Sequence, residues 1–324
     1  MKTNRLGRTG YEVGVLGLGC YQFTGEFGVQ PDASRKIMDF AMRSEINFFD
    51  TAQMYGYGES EEIVGRGLTD YPAKKAIVST KIGYLHDRTV ARCRGMNAYT
   101  DPAEIKRATK HSLWLLRRDF VEILMIHEPA INDWWGFDYD TGDCVALSVL
   151  EELKKEGVIG HIGIGCWNTN VLARLVNTGR IDVALSAGGV TLLKKTMFDE
   201  LVPAAKKHDV GLIVGGCFGQ NNPYLLKKDR EALNQLLQGP DSPSQPSQDA
   251  VVMRRKLLAL YDLADELGVS MSELTIRYLL SLPDIHVHIP GAREVSHLAE
   301  NLAAANKGPF DDDLVEKITE IQGL

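Results

Sequence analysis

The sequence is poor in the features that mark exported, membrane-bound or nucleic-acid-binding proteins. Its five cysteines are odd in number and form no CxxC pair, which argues against a disulfide framework and a zinc site. The basic start has no apolar stretch behind it, and no apolar run reaches the roughly 18 residues of a membrane span. With 36 basic and 43 acidic side chains the net charge is −7, so nothing favours binding to nucleic acid or anionic membranes. We expect a cytoplasmic protein with a small-molecule partner, and the oligomeric state stays open.

Apolar runs and helical patterns alternate along nearly the whole chain, which is typical of βα units. The eight candidate strands span 14–19, 46–50, 76–81, 121–127, 161–165, 182–187, 211–216 and 285–291. The eight candidate helices span 32–44, 59–68, 102–117, 146–156, 169–177, 198–207, 250–267 and 294–304. Strands that are nearly all apolar belong to a parallel sheet that is covered on both faces. Eight such repeats favour an α/β fold, a (β/α)8 TIM barrel formed by residues 1–324 as one domain, with an N-terminal β-hairpin across 2–14 and long loops at its C-terminal face.

A doubly wound, Rossmann-like sheet is the alternative fold. It is disfavoured because no GxGxxG motif opens a helix after the first strand, and GLGCYQ at 17–22 is not one. Two segments interrupt the βα alternation, the tryptophan-rich 131–144 and the polar 239–249, and both are predicted to be loops. The first follows the fourth strand on the side where barrel enzymes bind substrate, which makes it a candidate lid.

Ionisable side chains stand at the ends of three neighbouring candidate strands. Strand two ends in Asp50, strand three in Lys81 and strand four in His127, while Tyr55 lies in the loop after Asp50. Singly, each has an ordinary explanation as a helix cap, a solvated charge or a satisfied polar group. Together they are more specific, because a phenol that titrates at about pH 10 benefits from an adjacent cation when it exchanges a proton near neutral pH. Lys81 can supply that cation, Asp50 its counter-ion, and His127 a hydrogen bond to a carbonyl oxygen.

Four motifs carry a resemblance to a known family. The segment FDTAQMYGYGESEEIVGRGL at 49–68 resembles the signature of the aldo-keto reductases, and STKIG at 79–83 and LMIHEP at 124–129 are similar to that family's lysine and histidine motifs. IPGAREVSHLAEN at 289–301 is similar to its cofactor-phosphate motif, so the resemblance covers essentially the entire chain. It implies a catalytic tetrad and an NAD(P)H cofactor bound without a Rossmann fold. The implied tetrad is Asp50, Tyr55, Lys81 and His127. The reaction it implies is hydride transfer between nicotinamide and a carbonyl carbon while Tyr55 gives or takes the proton.

The last motif also fits a phosphate on physical grounds. Pro290 and Gly291 allow close backbone approach, the next helix starts with free N–H groups, and Arg293 offers a fork suited to a 2′-phosphate. We therefore predict NADP, with NAD as the alternative. The alternative arises because Gly-Gly-x-Phe at 215–218 is similar to the aldose 1-dehydrogenase branch (D-threo-aldose, L-fucose and L-galactose dehydrogenase-like), which oxidises sugar lactols and often uses NAD. The predicted cofactor-binding residues are Cys20, Tyr21, Asp50, Asn168, Ser186, Gly216, Phe218, Gly219, Pro290, Gly291, Arg293, His297, Glu300 and Asn301.

Aromatic side chains are the candidates for the substrate pocket, because rings with polar edges suit a sugar or an aromatic aldehyde. The predicted substrate-binding residues are Tyr21, Tyr55, Tyr57, His127, Trp134, Trp135 and Trp167. For Trp134 and Trp135, packing of the loop is an equally good interpretation. A sugar substrate would place the protein in carbohydrate metabolism.

Neither a metal nor a thiol nucleophile is predicted. His286 and His288 share one face of a strand but lack a third ligand, and Cys166 ends a strand with no visible base beside it. The second hypothesis for function is a cofactor-binding regulatory or redox-sensing subunit with little turnover. A metal-dependent barrel hydrolase is the third, and the absence of HxH on strand one argues against it.

Overall fold

Parallel strands form the centre of the computed structural model, which describes residues 1–25, 29–83, 99–130, 133–219, 222–235 and 248–324. The strands are β1 Thr3–Arg5, β2 Glu12–Gly14, β3 Leu18–Gly19, β4 Phe48–Asp50, β5 Ile77–Ile82, β6 Val121–His127, β7 Ile159–Cys166, β8 Val183–Ala187, β9 Gly211–Gly215 and β10 Val287–His288. The last eight, β3 to β10, pair in chain order, each parallel to the next. Parallel bridges from Leu16 to His288 and from Gly19 to Gly291 join the first of these strands to the last. The predicted (β/α)8 barrel is confirmed.

Helices surround this barrel, mostly in the connections between successive strands. The helices of the described residues are α1 Pro31–Arg43, α2 Glu59–Asp70, α3 Pro102–Leu116, α4 Val145–Lys155, α5 Thr169–Asn177, α6 Leu201–His208, α7 Pro223–Leu226, α8 Arg230–Gln235, α9 Gln248–Leu267, α10 Met271–Ser281, α11 Val295–Lys307 and α12 Asp312–Gly323. α3 shows how local sequence sets a boundary: Pro102 occupies its first turn and the Asp101 carboxylate accepts a hydrogen bond from the Ala103 N–H. Within the described residues, no helix is both long enough and apolar enough to cross a membrane.

Two apolar layers hold the barrel together. One fills its interior with strand side chains such as Phe48, Met125 and Ile213, and the other lies between the strands and the helices. The predicted N-terminal hairpin is present as the antiparallel pair β1 and β2. Leu6, in the hairpin turn, packs with the interior cluster, so the hairpin covers the N-terminal end of the barrel. The opposite end, where the strands finish, is left for polar side chains.

The structure differs from the sequence prediction mainly in extra helices. α7, α8, α10 and α12 lie in segments for which no helix is predicted. Of the predicted loop 239–249, residues 239–247 lie outside the described residues, and the rest belongs to α9. Of the predicted loop 131–144, residues 131 and 132 lie outside them, and the described remainder forms turns up to the start of α4.

Candidate functional site

The ends of three neighbouring strands and one loop bring together the four side chains predicted to be catalytic. The Lys81 ammonium lies 2.6 Å from the Asp50 carboxylate and donates hydrogen bonds to the Thr51 carbonyl, at 2.8 Å, and to the Tyr55 hydroxyl, at 3.2 Å. The His127 ring stands nearly perpendicular to the Tyr55 ring, with 5.9 Å between their centroids. One hydroxyl, one cation and one imidazole therefore share the C-terminal mouth of the barrel.

The strand register explains why these side chains meet. Asp50 pairs with Ser79 between β4 and β5, and His127 pairs with Gly165 between β6 and β7. The Ser79 hydroxyl donates to the second oxygen of Asp50 at 2.7 Å, so both carboxylate oxygens are engaged. The Asp50 carboxylate is thereby fixed as the counter-ion of Lys81, which is itself fully buried.

The loop that carries Tyr55 is held by a separate hydrogen-bond chain. The Ser60 hydroxyl, at the start of α2, donates to the Cys20 carbonyl at 2.8 Å and lies 2.8 Å from the Thr51 hydroxyl. Between these anchors Tyr57 has a positive φ of 54°, a conformation that non-glycine residues rarely adopt. The turn directs Tyr55 back toward Lys81, and Tyr57 is left 37% exposed at the surface.

Burial and charge act on the titrating groups in opposite directions. Burial raises the pKa of Tyr55 to about 12, although the charge of Lys81 and its hydrogen bond work to lower it. Burial also acts to lower the pKa of Lys81, but the attraction of Asp50 and Tyr55 outweighs it, so the net shift is upward. Burial and the charge of Lys81 hold the pKa of His127 well below its usual range. At neutral pH the site therefore combines a protonated phenol, a charged lysine and a neutral imidazole.

A buried carboxyl that is not among the predicted site residues lies directly after His127. Glu128 has a φ of 51°, and burial raises its pKa to about 7. Its side chain is hydrogen-bonded to Cys166, so a carboxylate does lie beside this thiol, contrary to the prediction from the sequence. The missing signal is the strand register: His127 pairs with Gly165, so the residues that follow them, Glu128 and Cys166, are neighbours. Burial raises the pKa of Cys166 to about 12, which keeps the thiol protonated and still gives no thiol nucleophile.

The predicted aromatic pocket residues occupy very different environments. The Tyr21 and Tyr55 rings meet edge to face, with 4.9 Å between their centroids. The Trp167 side chain is 55% exposed. The centroid of the Trp134 ring lies 5.4 Å from that of the buried Tyr99 ring. Trp135 is only 1% exposed and donates its indole N–H to the His127 carbonyl at 3.1 Å. Its burial argues against the predicted contact with substrate.

Two of the predicted cofactor-binding residues, Asn168 and Ser186, lie near the ends of β7 and β8. Asn168 caps α5, where its side chain accepts hydrogen bonds from the Asn170 and Val171 N–H groups. Ser186 is fully buried. Leu185, the residue before it, packs in the barrel interior, so the Ser186 side chain lies on the other face of the strand. Ser186 therefore points away from the barrel interior, whereas its prediction as a cofactor-binding residue rests only on its position near the end of a strand.

The segment predicted to hold cofactor phosphate presents a receptive helix end. The side chain of its N-cap residue, Glu294, accepts a hydrogen bond from the Ser296 hydroxyl at 3.1 Å but caps no backbone N–H of α11. The thirteen residues of α11 give this N-terminus a substantial dipole. Arg293 is exposed beside it, and Gly291 lies against the Gln22 side chain. These residues fit a dinucleotide phosphate.

Among the remaining predicted cofactor residues, His297, Glu300 and Asn301 lie on α11, and the others follow strand ends. Glu300 accepts a hydrogen bond from the Ser270 hydroxyl, Asn301 is buried and His297 is exposed. Gly216 and Gly219, after β9, both have positive φ values. Among the described residues no group of three or more histidine, cysteine, aspartate or glutamate side chains could hold a metal ion.

The similarity to known proteins extends over nearly the whole chain. A family model described as the aldo/keto reductase family matches residues 15–322. The chain is 28% identical over 324 residues to an uncharacterized oxidoreductase, YqkF, of Bacillus subtilis, covering 98% of this chain and 95% of that one. It is 27% identical over 248 residues to a D-threo-aldose 1-dehydrogenase of a Pseudomonas species, covering 72% and 74%. The holo form of an aldo-keto reductase from Bacillus halodurans shares the fold with a TM-score of 0.75 at 24% identity, covering 99% and 96%.

Proposed function

Because this chain belongs to the aldo/keto reductase family, and is therefore a nicotinamide-dependent oxidoreductase of carbonyl or alcohol groups, we propose that its substrate is an aldehyde, a ketone or a sugar lactol. We propose further that Tyr55 is its general acid and base. The observation that carries this proposal is the buried contact between the Tyr55 hydroxyl and Lys81, beside the His127 ring.

Each side chain has one task in the proposed reaction. The nicotinamide, when bound, supplies or accepts the hydride. Tyr55, protonated at neutral pH, donates its proton to the carbonyl oxygen during reduction. The phenolate that forms is stabilised by the Lys81 ammonium, whose charge is maintained by Asp50. His127 is neutral, so it can donate a hydrogen bond that orients the same oxygen without competing as an acid.

The proposed cofactor is NADP, with NAD as the alternative. Arg293 and the N–H groups at the start of α11 support a bound phosphate, and an arginine fork suits a 2′-phosphate. The similarity to a D-threo-aldose 1-dehydrogenase supports the inclusion of aldoses among the substrates to be tested.

The direct test is a fluorescence titration of the purified protein with NADPH and with NADH, followed by a panel of aldehydes, ketones and aldoses. Turnover is followed at the absorbance of the reduced cofactor. Saturable binding of one cofactor with turnover of any panel member supports the proposal and identifies the preferred cofactor. Binding without turnover across the panel would instead support a regulatory or redox-sensing subunit, and failure of both cofactors to bind would reject the assigned site.

A further inference from the structure

We propose that Trp135 is a positioning residue for His127, and this inference rests on the proposed function of the site. By donating its indole N–H to the His127 carbonyl, Trp135 fixes the backbone at the point where β6 ends. The imidazole is then held at the orientation from which it can reach the reacting oxygen.

The donor is itself rigid. Trp135 is almost fully buried, and its ring meets the Tyr99 ring edge to face at 4.6 Å. Tyr99 is fully buried as well and also contacts Trp134. Because the three rings pack together in the apolar layer between strands and helices, the indole has little freedom to turn its N–H away from the carbonyl.

The acceptor lies in a turn that needs support. Immediately after His127, Glu128 adopts a left-handed conformation with a φ of 51°, which is unfavourable for a residue with a side chain. The Glu128 N–H donates to the Gly165 carbonyl at 2.7 Å, and the Trp167 N–H lies 3.4 Å from the Glu128 carboxyl. The hydrogen bond from Trp135 acts on the carbonyl of the same peptide, which joins His127 to Glu128.

A neighbouring strand end confines His127 from a third direction. A Cβ atom placed on Gly83, which follows β5, would lie 2.7 Å from the His127 Cβ atom. The two backbones are therefore in close contact, and His127 cannot shift toward β5. Trp135 supplies the restraint that comes from the segment between β6 and α4. That segment interrupts the βα alternation, and its proposed role is to position His127.

The first experiment replaces Trp135 by phenylalanine, which retains an aromatic ring but removes the N–H donor. We expect kcat to fall about tenfold, with KM and the cofactor Kd changed by less than about twofold. Tyr139→Phe is the matched control, because the Tyr139 hydroxyl belongs to the same segment and donates to the Pro129 carbonyl at 2.8 Å. Its kcat should stay within about twofold of the wild-type value. A rise in KM at unchanged kcat in Trp135→Phe would overturn the inference in favour of direct substrate contact.

A second substitution separates the hydrogen bond from the packing. Benzothienylalanine at position 135 keeps the bicyclic shape of the indole and exchanges its N–H for sulfur, so the fold is preserved even where phenylalanine leaves a cavity. The same loss of kcat is expected. A wild-type kcat in this variant would overturn the inference.

A double-mutant cycle tests whether the effect passes through His127. In a His127→Gln background, adding Trp135→Phe should lower kcat by less than about twofold relative to His127→Gln alone, because the side chain that Trp135 positions is gone. A full tenfold further loss would show that Trp135 acts elsewhere.

One measurement is independent of turnover. The ¹H–¹³C NMR signals of the His127 ring, assigned with the His127→Gln variant, should shift in Trp135→Phe and stay in place in Tyr139→Phe. Unshifted signals in Trp135→Phe would overturn the inference even in an active enzyme. Absence of turnover in the wild-type protein would contradict the proposed function, and the NMR result would still decide the role of Trp135.

Discussion

Two opposing influences act on the Tyr55 phenol. From the sequence, the neighbouring cation is predicted to favour the phenolate, and Lys81 does act in that direction. Burial is the larger influence, because a buried phenolate loses its hydration, and the pKa is raised to about 12. The side chain is therefore suited to donate a proton in reduction, and oxidation of an alcohol should speed up with rising pH as the phenolate becomes populated.

Replacing Tyr55 by phenylalanine tests its proposed role as proton donor. We expect turnover to fall by about 10² to 10⁴, the usual contribution of a general acid or base, which equals roughly 3 to 5 kcal/mol of barrier. The cofactor Kd should be unchanged, because the hydroxyl that is lost acts on the substrate oxygen. Steady-state kinetics with a parallel cofactor titration measure both quantities. Near-wild-type turnover, in protein shown by mass spectrometry to be free of wild-type chain, would refute the assignment.

Glu61 makes the stability of the protein depend on pH. This carboxyl on α2 is fully buried and accepts a hydrogen bond from the Thr80 hydroxyl at 2.6 Å, and burial raises its pKa to about 7. A carboxyl whose pKa is higher in the folded state stabilises the fold below its unfolded pKa of about 4.3. That stabilisation is lost as the pH rises through 7.

Glu61→Gln should remove this dependence. We expect the free energy of unfolding of the wild type to lose up to about 3 kcal/mol relative to the variant between pH 4.5 and pH 8. Denaturant unfolding at a series of pH values measures the difference. Glu62→Gln, at a side chain of the same helix that is 44% exposed, is the control and should run parallel to the wild type. Parallel curves for Glu61→Gln as well would show that Glu61 is ionised in the fold.

Secondary-structure elements differ in how well the sequence predicts them. Strand positions follow from apolar runs because each strand is buried on both faces. α10 and α12 are missed although both carry clear N-caps: Ser270 accepts from the Glu273 N–H, and Asp311 accepts from the Leu314 N–H. The alternation of strands and helices is already complete without them. α10 follows α9 with no strand between, so a pattern of alternating repeats gives no place for a second helix there.

Asp182, at the N-terminal end of β8, joins three other parts of the fold through its carboxylate. Its carboxylate accepts hydrogen bonds from Arg8 in the hairpin turn, from Lys154 at the end of α4 and from the Ile162 N–H on β7. Burial acts to raise its pKa, but hydrogen bonds from His161, Lys154 and Ile162 outweigh this and lower it. One carboxylate thus connects the hairpin to the barrel wall.

Asp182→Asn should loosen this connection. We expect the free energy of unfolding at pH 7 to fall by about 3 kcal/mol, because the cations at Arg8 and Lys154 lose a buried counter-ion. Since the pKa of Asp182 is lowered in the fold, its contribution is present above pH 4 or so and is lost as the pH falls, so the two proteins should converge in acid. Asp209→Asn, which breaks an exposed pair with Arg5, is the matched control and should change stability little. Equal effects of the two substitutions in chemical denaturation would contradict the inferred role of Asp182.

Across the whole barrel, the sequence predicts where the proposed catalytic groups converge better than it predicts the loops that support them. Parallel strands all finish at one end, so Asp50, Lys81 and His127 must approach one another once the strands are assigned. The bond from Trp135 to His127 depends on the left-handed conformation of Glu128 and on packing against Tyr99. Neither follows from periodicity, because a loop conformation is set by contacts between residues far apart in the chain.

Cofactor binding should stabilise the molecule as a whole, and Arg293 should decide which cofactor does so more. At a concentration of about 100 times its Kd, a cofactor adds about 2.7 kcal/mol to the free energy of unfolding. This raises the Tm of a chain of this length by about 4 °C. If Arg293 binds the 2′-phosphate, Arg293→Ala should weaken NADPH about tenfold or more and reduce its Tm shift at the same concentration to about 2 °C. The shift with NADH should not change. Arg107→Ala, on α3 between α2 and α4, is the control and should leave both shifts intact. Thermal scans that show equal losses for both cofactors in Arg293→Ala, or no loss for either, would contradict a 2′-phosphate contact and favour NAD as the cofactor.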